Sequence, residues 1–139
     1  MTKDQNITAQ TSEHKLKLRL LEGCFGVCRL QPSQPIPEWA LSSKLYSITK
    51  TLEELSVVCS LEIIPGDVAC EGDWRMLKIE GPLDFSLVGI LSAISTVLAK
   101  QEISIFAIST YDTDYILIKD HNTHKAVMAL TKEGYEILE

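Results

Sequence analysis

Residues 74–138 decide the fold, and they read WRMLKIEGPLDFSLVGILSAISTVLAKQEISIFAISTYDTDYILIKDHNTHKAVMALTKEGYEIL. Apolar and polar residues alternate in Trp74–Glu80, which is typical of a strand with one wet face. The dipeptide Gly81-Pro82 ends this strand. Apolar residues then recur at three- and four-residue spacing as far as Lys100, which predicts an amphipathic helix of about fifteen residues.

The rest of the stretch adds two strands, a helix and a closing strand. Ile103–Thr110 is apolar on both faces, which predicts a central strand. The elements predicted after it are a turn at Tyr111–Asp114, a strand at Tyr115–Lys119, a helix capped by Asn122 and ended by Gly134, and a strand at Tyr135–Leu138. The short turn makes the two strands it joins antiparallel.

The element order is therefore β-α-β-β-α-β, an α+β arrangement. Crossover handedness puts both helices on one face of a four-stranded antiparallel sheet, which is a ferredoxin-like sandwich. The first half could cover the other face, with predicted strands at Leu16–Leu21, Phe25–Leu30, Leu45–Thr51 and Leu55–Cys59 and one helical turn at Pro37–Leu41. We expect a disordered tail at 1–13, a degenerate, strand-rich repeat at 14–68 and a βαββαβ domain at 69–139.

Composition and charge argue against two classes of function, nucleic-acid binding and membrane insertion. The net charge is −6 and the 13 Lys and Arg residues are scattered, which argues against a nucleic-acid surface. No apolar run approaches the ~20 residues that cross a bilayer, and the N-terminus lacks the apolar segment of a signal peptide. We expect a cytoplasmic protein without membrane contact.

The residue types that perform catalysis or bind metals form no motif. The four cysteines fit no paired metal-binding spacing, so we interpret them as buried free thiols in a reducing compartment. No serine-nucleophile, phosphate-loop or zinc-protease motif is present. We predict no catalytic residue, no metal ligand and no cofactor, and hence a protein that is not an enzyme.

Two runs resemble the ACT domain, the amino-acid-binding regulatory module of aspartate kinases and other metabolic enzymes. Gly81–Leu91 resembles the first loop and helix of ACT domains, and Ile105–Ile118 resembles their second and third strands. From about Leu20 the chain is similar to small bacterial proteins made of a tandem ACT pair, and to the ACT repeats of the animal arginine sensor CASTOR. The first half contributes Ile36–Ala40, Tyr46–Thr51 and Glu54–Cys59 to this match.

The resemblance implies a site for an amino acid or similar small metabolite between the loop after the first strand and the facing hairpin. The implied ligand-binding residues are Gly81, Pro82, Leu83, Asp84, Phe85, Ser86 and Gly89 in the loop, and Ser109, Thr110, Tyr111, Asp112 and Asp114 in the hairpin. Amides at a helix N-terminus favour a carboxylate, glycine permits close approach, and an aspartate can face an ammonium group.

Each of these residues also has an ordinary structural explanation. Asp84 and Ser86 are good helix caps, and Asp112 and Asp114 are good turn formers. Phe85 and Phe106 are expected first of all in the core. An alternative function is therefore a protein-interaction or scaffold module that binds no ligand. Either way we expect a homodimer, the commonest symmetric assembly, and an effector protein on another chain.

Overall fold

The structure is a computed structural model that describes residues 16–80 and 89–139. Its elements in chain order are β1 (Lys17–Leu20), β2 (Phe25–Leu30), α1 (Glu38–Leu41), β3 (Ser47–Lys50), β4 (Leu55–Ser60), β5 (Cys70–Ile79), α2 (Ile90–Lys100), β6 (Ile105–Ser109), β7 (Asp114–Lys119), α3 (Thr123–Lys132) and β8 (Glu136–Leu138). Short 3-10 turns lie at Leu61–Ile63 and Asp120–Asn122.

The chain separates into two compact units. The C-terminal unit contains the described residues up to Leu21 together with Leu77–Glu139, and the middle unit is Glu22–Met76. Strand β5 contributes residues to both units, because the boundary between the units falls after Met76, inside this strand. The sequence analysis placed a domain boundary before residue 69, in the irregular stretch, whereas the structural division lies inside a strand.

The C-terminal unit has the predicted βαββαβ order from the end of β5 to β8, which confirms the α+β, ACT-like fold. Its sheet order is β6-β7-β5-β1-β8. The prediction of a sheet built from four antiparallel strands is wrong, because β1 lies between β5 and β8. Leu18 pairs antiparallel with Ile79 on one side and parallel with Ile137 on the other.

The reason for this insertion is the apolar face of β1. Leu18 and Leu20 are both buried, and they join the same core as the buried residues of α2 and α3. The strand predicted at Leu16–Leu21 is confirmed as β1, but the sequence of a strand does not indicate which strands lie beside it. The core is formed by Leu18, Leu20, Leu77, Ile79, Ile94, Leu98, Ile103, Ile116, Ile118, Ala126, Leu130 and Tyr135.

Strand β6 is an edge strand, which corrects the prediction of a central one. Among the described residues it pairs only with β7. Ile105, Phe106 and Ile108 are half-buried and Ala107 is exposed, so Phe106 is not a fully buried core residue. The apolar run therefore reflects an edge strand with a partly exposed apolar surface.

Helix α2 begins at Ile90, three residues later than the apolar spacing predicts. Its N-cap is Gly89, so the predicted caps Asp84 and Ser86 do not hold that position, and both lie outside the described residues. The other predicted helix is confirmed as α3, and Gly134 follows its end with φ of 98°. Asn122 holds the N-cap position as predicted, but its side chain makes no capping hydrogen bond.

The middle unit is rich in strands, as predicted. Its antiparallel pairs join β3 to β4, β4 to β2, and β2 to the first part of β5. The predicted helical turn is α1, whose Ala40 is fully buried. One face of the sheet packs Cys28, Leu55, Val57 and Cys59 against Ala40 and against the partly buried Trp39, Ile63 and Ile64.

Candidate functional site

The hairpin between β6 and β7 is held by a polar turn. Ser109 and Asp114 are the last paired residues of the two strands. The amide of Thr110 donates to the carbonyl of Thr113 at 2.8 Å, and the amide of Thr113 donates to Thr110 Oγ1 at 3.3 Å. The turn is therefore fixed by its own threonines, without an aspartate in either bond.

The predicted hairpin residues differ in exposure. Ser109, Thr110, Tyr111 and Asp112 are exposed, and Tyr111 is 83% exposed. Asp114 is half-buried. Their side chains therefore offer a polar surface, in which Asp114 is the least exposed residue of the five.

Thr113 was not among the predicted site residues, yet it is the buried polar residue of the turn. It is 5% exposed, and its hydroxyl donates to the carbonyl of Ile79 at 2.6 Å. Ile79 is the last residue of β5, and Gly81 follows two positions later. The bond thus fixes the hairpin against the strand that leads into the predicted ligand loop. The spacing of Thr110 and Thr113 in the turn is the signal that could have indicated this role.

Seven loop residues were predicted to bind the ligand, and the structure describes one of them. Gly81, Pro82, Leu83, Asp84, Phe85 and Ser86 lie outside the described residues. Gly89 is exposed and has φ of 80°, in the region where side chains are strained. A Cβ there would meet no described atom within 4 Å, so the backbone angle rather than crowding explains the glycine.

Glu80, directly after β5, is a further carboxylate that the sequence analysis did not select. Its amide donates to the carbonyl of Lys17 at 2.9 Å, and its carboxylate lies 3.4 Å from Arg19 Nε. The same arginine donates from Nη1 to the backbone oxygen of Glu139 at 3.4 Å. Because both side chains of this ion pair are partly exposed, we assign it only a small stabilising effect.

The middle unit contains a groove of about 590 Å³. Ile36, Leu41 and Tyr46 in its lining are each between 44% and 51% exposed. Lys50, on β3, is its cationic side chain. Its full lining is Gln34, Pro35, Ile36, Leu41, Tyr46, Ile48, Lys50 and Leu55.

The cysteines are free thiols, and their environments differ. Cys28 and Cys59 are buried as predicted, Cys24 is half-buried, and Cys70 is exposed, contrary to the interpretation of all four as buried. Burial, followed by the charge and hydrogen bonding of Cys70, raises the pKa of Cys28 to about 12. Burial likewise raises the pKa of Cys59 to about 11. Both buried thiols are therefore protonated at neutral pH.

Neither a metal centre nor a membrane helix is found in the described part of the chain. Within residues 16–80 and 89–139, no three His, Cys, Asp or Glu side chains form a group that could hold a metal ion. In the same ranges, no helix has the length and apolar character needed to span a bilayer.

The fold and the family comparison together define the class. Residues 69–132 match the ACT-domain family, and residues 23–67 match a second family of N-terminal domains. Residues 69–132 therefore form a domain of the ACT family.

Similar solved structures extend over nearly the whole chain. A protein from Agrobacterium tumefaciens is 36% identical with a TM-score of 0.84, and the match covers 88% of this chain and 92% of that one. A Vibrio cholerae protein of unknown function, described as a possible transport protein, is 21% identical with a TM-score of 0.71 over 86% and 90% of the two chains. The regulatory subunit of Thermus thermophilus aspartate kinase is 12% identical with a TM-score of 0.57 over 86% and 94%. The last two show likeness of fold alone.

Proposed function

We propose that the protein is a non-enzymatic cytoplasmic sensor that binds an amino acid, or a similar small zwitterion, and thereby regulates another protein. The proposed site lies between the loop Gly81–Gly89 and the hairpin Ser109–Asp114. The observation that carries the proposal is the hydrogen bond from Thr113 Oγ1 to the carbonyl of Ile79, because it fixes the hairpin beside the strand that enters the loop. Membership of a regulatory, ligand-binding family supports the same function.

The chemistry of the hairpin suits a zwitterion. Asp112 and Asp114 supply carboxylates for an ammonium group, while backbone amides of the loop would receive the ligand carboxylate. The Ser109 and Thr110 hydroxyls lie on the exposed surface of the same hairpin and can donate or accept. A side chain with its own positive charge would add an attraction to the second aspartate, so lysine and arginine are the first ligands to test.

A thermal-shift screen of the purified full chain against the twenty amino acids tests the proposal. A ligand at about 100 times its Kd stabilises the protein by ~2.7 kcal/mol, which raises the Tm by several degrees for a chain of this size. Asp114→Asn and Asp84→Ala should reduce the shift given by the active amino acid. The matched control Asp67→Ala changes an exposed aspartate of the middle unit and should leave the shift intact. Absence of a shift from every amino acid and common metabolite would contradict the sensor function.

The homodimer belongs to the same proposal, and the edge of β6 supports it. Thr110 and Thr113 form a hydrogen-bonded pair, so Ala107, three positions earlier on the strand, directs its N–H away from β7. Ala107→Pro would therefore block pairing along this edge without loss of a bond to β7. Light scattering should give a dimer for the wild type and the Ala107→Val control, and a monomer for Ala107→Pro. A dimeric proline variant would exclude this edge as the interface.

The groove of the middle unit favours a second candidate function, binding of a partner protein. The groove lies along β3, which among the described residues pairs only with β4. Aliphatic lining beside Lys50 suits an extended segment with apolar side chains and one carboxylate. Lys50→Glu should weaken binding of such a peptide, as measured by fluorescence anisotropy, whereas Lys125→Glu in α3 should not. Equal affinity of the two variants would argue against this function.

A further inference from the structure

Three of the four cysteines lie on one face of the middle unit. Gly26 and Cys28 are two residues apart on β2, so their side-chain positions share a face. Cys59 on β4 is opposite Gly26, and Cys70 on β5 is opposite Cys28. Cys70 Sγ lies only 2.7 Å from the position that a Cβ on Gly26 would occupy. The missing side chain at Gly26 thus leaves room for the Cys70 thiol beside β2.

The register shows that Cys28 and Cys70 are suited to a disulfide. The amide of Arg29 donates to the carbonyl of Ala69 at 3.0 Å, so the neighbouring pair Cys28 and Cys70 is a non-hydrogen-bonded one. In such pairs the Cα atoms are about 4.5 Å apart and the side chains are at their closest. This separation lies within the range of roughly 4.4–6.8 Å found in disulfides. The Cys70 side chain also contributes, after burial, to the raised pKa of Cys28, as expected of neighbouring thiols.

Cys59 is a poorer partner for Cys70. Strand β2 lies between β4 and β5, so Cys59 and Cys70 are separated by two strand spacings, about 9–10 Å. Two cysteines whose Cα atoms are more than roughly 7 Å apart cannot be bridged without movement of the backbone. The register thus selects Cys28 over Cys59 as the partner of Cys70.

The exposures of the two residues indicate the order of reaction. Cys70 is exposed, whereas Cys28 is 1% exposed. An oxidant in solution should therefore react with Cys70 before it reaches Cys28. An exposed cysteine beside a buried one is the arrangement expected of a reactive cysteine with its resolving partner.

We propose that Cys70 and Cys28 form a reversible oxidation site, in which a hydroperoxide oxidises Cys70 and Cys28 then closes a disulfide across β2 and β5. The sulfur of Cys70 attacks the O–O bond of hydrogen peroxide, an S–O bond forms, and water leaves after proton transfer. The sulfur of Cys28 then attacks the sulfur of the Cys70 sulfenic acid, an S–S bond forms and the S–O bond breaks. The departing hydroxyl takes the proton of the Cys28 thiol and leaves as a second water. Two thiols are thus oxidised by two electrons in total while one peroxide is reduced to two waters, and a dithiol such as dithiothreitol reverses the step.

The experiment uses the folded full-length chain, reduced and then treated with stoichiometric hydrogen peroxide. Free thiols are blocked with N-ethylmaleimide, and a non-reducing digest is mapped by mass spectrometry. The expected product is a Cys28–Cys70 disulfide that dithiothreitol removes. The same treatment in urea, where the strand register is lost, should give little of it. A Cys59–Cys70 linkage as the main product, or equal yields with and without urea, would overturn the proposal.

Single variants separate the roles of the cysteines. Cys70→Ser should leave all remaining thiols open to N-ethylmaleimide after peroxide treatment and unfolding. Cys28→Ser should leave Cys70 as a sulfenic acid, which dimedone labels. Cys24→Ser is the matched control, since Cys24 precedes β2 and should form the disulfide at the wild-type yield. Because Cys70 is exposed, its variant tests the proposal even if Cys28→Ser does not fold. Disulfide formation in Cys70→Ser at the wild-type rate would refute the assignment.

Discussion

Replacement of Thr113 by valine tests the hydrogen bond on which the candidate site depends. Valine keeps the shape of threonine but puts a methyl group in place of the hydroxyl that donates to the carbonyl of Ile79 at 2.6 Å. That carbonyl has no donor on β1, because Glu80 and Lys17 form the hydrogen-bonded pair there and Ile79 lies in the next, non-hydrogen-bonded position. Thr113→Val would therefore leave a buried acceptor without this donor.

The size of the effect follows from the burial of both residues. A buried polar group that loses its partner costs about 1–3 kcal/mol. Unfolding entropy of about 2.1 cal/mol/K per residue gives about 0.29 kcal/mol/K for the 139 residues, so a loss of about 2 kcal/mol lowers the Tm by roughly 7 °C. The hydrogen bonds between Thr110 and Thr113 use only backbone atoms of Thr113, so valine leaves them in place.

Differential scanning calorimetry of three proteins checks the argument. Thr113→Ser keeps the hydroxyl and loses one buried methyl group, which costs ~0.8 kcal/mol. The expected order of Tm is wild type, then Thr113→Ser, then Thr113→Val. A valine variant that melts at or above the serine variant would refute the role of the hydrogen bond, because packing alone favours valine.

The remaining predictions concern the core, the end of a helix and the stability of the protein at alkaline pH. Leu98→Ala removes a fully buried side chain and should lower the free energy of unfolding, measured by urea denaturation, by about 2–5 kcal/mol. For the control Leu52→Ala, at a position 92% exposed, the free energy of unfolding should stay within about 0.5 kcal/mol of the wild-type value. Gly134→Ala puts a side chain at φ of 98° and should lower the free energy of unfolding by about 1–2 kcal/mol. The control Gly66→Ala, at a position where φ is not positive, should lower it by less. Equal losses in the two variants would count against the backbone argument. Burial raises the pKa of Tyr135 above 10.0, so above that pH the unfolded chain loses the proton before the folded one. The stability of the wild type relative to Tyr135→Phe should therefore fall as pH rises through 10, and a constant difference between pH 8 and 11 would contradict this.

Local periodicity was enough to predict the helices and most strands of the C-terminal unit. The stripe of Ile94 and Leu98 in α2 and that of Ala126 and Leu130 in α3 are the buried positions of those helices. These patterns are local, since each helix buries one face regardless of what lies opposite. The start of α2 was less predictable, because Gly89 acts there through its backbone angle rather than through a capping side chain.

Strand neighbours were not predictable from the same signals. β1 pairs with residues about sixty positions later in the chain, and an alternating pattern specifies a face but not a partner. In the same way, β6 is apolar enough for a central strand but occupies an edge. The pairing of Cys28 with Cys70 is likewise a property of register, and no spacing rule along the sequence indicates it.

In the candidate site, the environment of single side chains was likewise not predictable from the sequence. Composition marks Asp112 and Asp114 equally as turn residues, yet the first is exposed and the second half-buried. A charge interaction gains strength as water is excluded, since the effective dielectric constant falls. An ammonium group bound at the hairpin would therefore be attracted more strongly by Asp114 than by Asp112. Thr113 lies between them and donates its hydroxyl proton to the carbonyl of Ile79, so it positions the turn. Under the proposed function, the Asp114 carboxylate would then recognise the cation of the ligand.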